Sequence, residues 1–114
     1  MFRVFYITTR HRRFRQVATV TTNMGIIYLR GWRRQLATDL QKDVSEVQVM
    51  LVDESNTVVN FTSDYSRAQF ARFPDLYEKE TEKMKKDGFN VETYEVWVEK
   101  FPLLRTATQQ FAST

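Results

Sequence analysis

The chain has 114 residues, no cysteine, three glycines, two prolines, 42% apolar residues and a formal net charge of +3. That length and composition describe one folded domain rather than a disordered chain, and the missing cysteine excludes disulfides, thiolate metal sites and cysteine nucleophiles. The small net charge hides a step. Residues 1–38 hold eight arginines and no acid, while all fourteen acidic residues fall at or after Asp39 beside nine lysines and arginines, giving +8 and −5.

Phe2 to Thr9 (FRVFYITT) is rich in aromatic and β-branched residues and is predicted as a strand. Apolar side chains alternate onto both of its faces, Phe2, Val4 and Tyr6 on one and Phe5 and Ile7 on the other. That pattern predicts an interior strand covered on two sides. Arg10-His11-Arg12-Arg13 breaks it and Gln16 to Thr22 resumes it, so a β-hairpin with an arginine-laden connection is expected.

From Asn23 two readings compete. The favoured one has Asn23 capping a helix from Met24 to about Lys42, with Ile26, Leu29, Trp32, Leu36 and Leu40 as the buried stripe. Gly31 weakens it by about 1 kcal/mol relative to Ala. In the rival, Ile26 to Arg30 is a strand and a helix starts only at Trp32.

Val44 to Val52 and Thr57 to Thr62 read as a second hairpin around the turn Asp53-Glu54-Ser55-Asn56. Ser63 or Asp64 is placed to cap a short helix reaching about Arg72. Pro74 and Asp75 suit the first turn of another helical piece, which Asp87-Gly88 ends. Its repeated Glu and Lys read as a solvated face. Phe89 to Phe101 reads as a last strand with a bulge near Thr93, and Pro102 stops it. Residues 1–102 form the domain and 103–114 a polar tail.

With the long helix, Gln16 onward runs β-α-β-β-α-β. The expected fold is therefore an α+β split βαβ, or ferredoxin-like, sandwich. Its mostly antiparallel sheet carries two helices and an extra N-terminal strand. Thr57 to Thr62 has Phe61 but no basic-Gly-aromatic run, so the signature of the RNA-binding module of that order is missing.

The functional signal is the basic cluster. Guanidinium groups stay charged and bind phosphate oxygens bidentately, and arginines interleaved with aromatics grip a nucleic-acid backbone while stacking bases. Arg10, Arg12, Arg13 and Arg15 on the hairpin, with Arg30, Arg33 and Arg34 on one side of the helix, are the candidate contacts for DNA or RNA. Phe14 and Trp32 are the candidate stacking platforms, though core is the commoner role of such residues. The competing readings are pairing of these arginines with acids such as Glu46 or Asp64, and a binding module, homo-oligomeric or not, whose basic face meets an acidic protein. His11 is the only histidine and has no serine-plus-carboxylate arrangement around it, so no enzyme, cofactor or metal is expected. No apolar run reaches the roughly 18 residues that span a bilayer. A cytoplasmic protein without membrane contact is the expectation.

Overall fold

A computed structural model describes residues 1–100; Phe101, Pro102 and the tail assigned to 103–114 lie outside the described residues. The elements are β1 (Phe2–Thr8), β2 (Arg15–Val20), α1 (Ile26–Asp39), a 3-10 turn (Val44–Glu46), β3 (Val47–Val52), β4 (Thr57–Phe61), α2 (Arg67–Arg72), α3 (Asp75–Lys86), β5 (Asn90–Val91) and α4 (Tyr94–Glu99). They make an α+β fold around one five-stranded sheet in the order β2-β1-β3-β4-β5. Neighbours are antiparallel except β4 and β5, which are parallel.

The N-terminal strand is internal, as its two apolar faces predict. Val4 packs with Val49 and Leu51 of β3 against Leu29 and Ala37 of α1. Phe5 and Ile7 turn the other way, joining Met50, Val52 and Phe61 beneath Phe70, Tyr77, Met84 and Trp97 of α2, α3 and α4. The molecule is three layers, with α1 on one face of the sheet and the remaining helices on the other. The ferredoxin-like detail does not follow from this order. The crossover β2-α1-β3 is split, with β1 in the gap, but β4 and β5 at the two ends of the second crossover are direct neighbours.

The long-helix reading of α1 holds, with different ends. Gly25, in an extended conformation, precedes the first turn without a side-chain cap, so Asn23 is not the cap. At the other end Gln41 takes φ 55° and Lys42 N–H bonds back to Ala37 O at 2.9 Å, which turns the chain away before Lys42 can join the helix. Val44–Glu46 is likewise not strand. Asp43 and Glu46 form a reciprocal cap that holds it as a single turn. In the β3–β4 turn, Asp53 Oδ1 accepts from Ser55 N–H and Thr57 N–H at 2.9 and 3.0 Å. Ser66, not Ser63 or Asp64, caps α2, in a capping box with Gln69. α3 runs from beside Pro74 to the left-handed Gly88 at φ 89°, as its sequence predicts.

The expected last strand is corrected. Only Asn90 and Val91 pair, with Thr57 and Val58 of β4. Thr93 is not a bulge but the N-cap of α4, its hydroxyl accepting from Val96 N–H at 3.3 Å. The apparent alternation of Tyr94, Val96 and Val98 misleads because Val96 is 49% exposed, whereas Tyr94, Trp97 and Val98 face the core at helical spacing. Among the described residues α4 is thus added to the two helices expected, the second of which is divided into α2 and α3 as its two sequence pieces suggest.

Candidate nucleic-acid interface

Residues 9–14 join β1 to β2, and the chain around them dictates a fixed loop rather than a floppy one. The Thr8 side chain is buried and hydrogen-bonds His11 Nδ1, and His11 N–H donates to Thr8 O at 3.0 Å. Thr9 N–H bonds Glu46 O at 3.0 Å. At the far end Phe14 inserts into the core, edge-on to Phe89 with ring centroids 5.9 Å apart, and its N–H donates to Asp87 Oδ2 at 2.7 Å. The loop is thus pinned at both ends against the C-terminal turn of α3, where Lys83 Nζ also reaches Thr9 O at 3.3 Å.

Between those pins Arg10, Arg12 and Arg13 project into solvent, and Arg15 follows, exposed, at the start of β2. No carboxylate pairs with any of the four among the described residues. The loop and the end of α3 together line an open depression edged by Arg10, Arg12, Arg13, Lys83, Lys86 and Asp87. Asp87 spends one oxygen on the Phe14 amide, and Lys86 shares its charge with Glu82 at 2.8 Å. The surface is strongly cationic, and two of its five cations come from the segment whose sequence reads as a solvated face. The signal that identifies them is position: Lys83 and Lys86 lie in the last turn of α3, before the Gly88 reversal that leads to Phe89, the packing partner of Phe14.

The three helix arginines do not join this surface. α1 covers the opposite face of the sheet, so Arg30 and Arg34, both exposed, stand apart from the hairpin connection. Arg33 is buried. Its Nε–H donates to Val47 O at 2.6 Å and its Nη2 to Asp64 Oδ1 at 2.7 Å, the internal pairing that competes with a binding role. Spacing could have revealed it, since Arg33 lies four residues from both Leu29 and Ala37, in the middle of the sheet-facing stripe. Arg3, at the other end of β1, bonds Asn56 Oδ1 at 3.0 Å. Of the two aromatic candidates, Phe14 is core and has no face free to stack. Trp32 is half-buried against the α1 side of the sheet, edge-on to Tyr28.

A second depression adjoins the first through Thr9 and Lys83 and opens at the end of the sheet, beside Arg33, Asp64, Ser63 and Glu80. Burial pushes the half-buried Glu80 carboxyl up. A hydrogen bond from Ser63 opposes that shift, Asp64 adds to it, and Lys79 and Arg33 oppose it. Its lining mixes charges of both signs. Among the described residues no group of three His, Asp or Glu side chains is placed to hold a metal ion, and no helix is long and apolar enough to cross a membrane. Comparison with known protein families, curated proteins and solved structures finds no match for this chain.

Proposed function

We propose that the protein is a non-enzymatic nucleic-acid-binding domain whose contact surface is the pinned 9–15 connection together with Lys83 and Lys86. The single observation that carries this reading is a rigidly anchored loop presenting four guanidinium groups without carboxylate partners beside two lysines. Arg10, Arg12, Arg13 and Arg15 take phosphate oxygens, each able to offer two parallel N–H donors. Lys83 and Lys86 add point charge to the same field, which concentrates a polyanion at this end of the molecule. Anchoring matters energetically, because a loop already held by Thr8, Glu46 and Asp87 loses less conformational freedom on binding than a free one. Arg33 is committed to the fold and takes no part. With no base-stacking aromatic at the loop, binding is backbone-directed and tolerant of sequence. The proposed setting is the cytoplasm, with which a fold that needs no disulfide is compatible.

The test is fluorescence anisotropy of labelled single- and double-stranded oligonucleotides titrated with protein over a range of salt. Affinity falls log-linearly with salt, with a slope of about −0.9 per phosphate neutralised on duplex DNA and about −0.7 on single strands. The double variant Arg12→Glu/Arg13→Glu abolishes binding and leaves the thermal midpoint nearly unchanged, because both side chains are exposed. Affinity that survives this change rules the reading out.

A further inference from the structure

α1 has a second face that the described residues leave exposed. Its sheet side is the row Leu29, Arg33 and Ala37, all buried. A helix packed on one side is ordinarily polar on the other. Here the outward row at i, i+4 and i+7 is Ile27, Gly31 and Arg34, with Tyr28 beside it. Ile27 is 79% exposed and Tyr28 40%. At Gly31 a Cβ would meet nothing within 4 Å, so the middle of this row is open, with no side chain filling it. Arg30 and Arg34 follow Ile27 one and two turns further along the helix, and α1 contains no acid before Asp39. Arg67, at the start of α2, lines a small hollow with Ile26, Arg30 and Tyr65. Partial burial and then the charge of Arg30 lower the Arg67 guanidinium from its ordinary value, a sign of how closely the two cations stand.

We propose that this face docks an acidic amphipathic segment of a partner protein, its apolar side chains seated on Ile27, Tyr28 and the Gly31 gap and its carboxylates on Arg30 and Arg34. Charge complementarity selects the occupant. A second copy docking the same face across a two-fold axis would set Arg30 and Arg34 against their own mates. Residues 101–114 contain Arg105 and no acid, so they are no better match. A nucleic-acid backbone would satisfy the arginines but gain nothing from Ile27, the most exposed large hydrophobic residue described. Tyrosine and arginine are both residues that protein interfaces concentrate at their anchors, and a helix groove reads its ligand through apolar side chains at i, i+3, i+4 and i+7. This surface is separate from the hairpin connection and stands or falls independently of it.

The probe is a short synthetic peptide with Leu and Phe at i, i+3, i+4 and i+7 and Glu elsewhere, titrated into the 15N-labelled full chain by NMR. Its controls are the same peptide with Lys for Glu, an oligoglutamate without apolar residues, and a single-stranded oligonucleotide. The expected result is a footprint on residues 27–34 and 67 with the acidic amphipathic peptide alone. Ile27→Ser and Arg34→Glu each weaken that binding about tenfold, while Arg12→Glu/Arg13→Glu leaves it unchanged. Both single variants change exposed positions, and circular dichroism checks that they fold. The proposal is overturned if the acidic amphipathic peptide does not bind, if Ile27→Ser has no effect, or if the oligoglutamate, the Lys peptide or the oligonucleotide gives the same footprint. Concentration-dependent self-association abolished by Ile27→Ser would assign the face to a second copy instead, and overturns it equally.

Discussion

Arg33 Nη2 and Asp64 Oδ1 meet at 2.7 Å across thirty-one residues of sequence, and the same guanidinium holds Val47 O through Nε at 2.6 Å. One side chain thus ties α1 to the first residue of β3 and to the segment leaving β4. The partners are unequal, with 9% of the Arg33 side chain exposed against 58% for Asp64. Losing the arginine empties a buried position and frees a carbonyl, whereas losing the carboxylate removes only a half-solvated partner. Arg33→Ala should lower stability by about 2 kcal/mol, and Asp64→Asn by less than about 1 kcal/mol. Urea unfolding of both variants measures this, and equal losses would show that the ion pair, not the carbonyl anchor, is what counts.

The separation of the arginines onto two faces gives the nucleic-acid reading a sharp internal control. Arg10→Gln removes one proposed phosphate contact from the basic surface and should reduce the steepness of the salt dependence by about 0.9 on duplex DNA or about 0.7 on a single strand. Arg30→Gln and Arg34→Gln should leave it unchanged. A slope that responds to the helix variants would mean that the ligand wraps around the sheet.

Glu80 supplies a pH dependence. Burial, its largest influence, raises its pKa on folding. Between the unfolded and folded values the native chain therefore holds a proton that the unfolded chain has released. Stability from this group is present below the unfolded value and falls as pH climbs, the loss being complete above the folded value. Glu80→Gln keeps an acceptor for Ser63 and carries no charge. Its thermal midpoint should exceed that of the parent at neutral pH, and the gap should close on acidification. A constant gap at all pH values would assign the effect to packing.

Gly31 is in the interior of a helix, with open space where its side chain would be. Gly31→Ala should stabilise the protein by about 1 kcal/mol, a rise of roughly 4 °C in the midpoint by thermal melting. No gain, or a loss, would mean that the helix backbone at this point is not held as described.

The parts of the fold that could be read in the sequence were those that a single face determines. The two-sided β1 announced its interior position through Val4 against Phe5 and Ile7, and the Asp53 turn and the Gly88 stop followed from local chemistry. What escaped depends on partners remote in sequence. Nothing near Thr93 says that β4 offers β5 only two residues of pairing, so an apolar run became a strand instead of α4. The candidate site divided in the same way. Arg10, Arg12 and Arg13 were visible as a cluster and are together in space. Lys83 and Lys86 join them through contacts remote in sequence, Phe14 on Phe89, the Phe14 amide on Asp87 and Lys83 on Thr9, and Arg33 leaves them because helical periodicity aims it at Val47 and Asp64.

The central place of β1 bears on how the chain reaches its native state. Its pairing with β2 is local, but its other edge stays open until residues 47–52 arrive, with Val4 meeting Leu51 and Tyr6 meeting Val49. Such distant pairing is slow to form. Until then an aromatic, β-branched ribbon presents unpaired amides to its neighbours, the condition under which chains clump. The arginines that immediately follow it act as gatekeepers, since their mutual repulsion discourages two such ribbons from joining. The same charges proposed to meet a polyanion in the finished molecule would thus guard its most adhesive strand while it is being assembled.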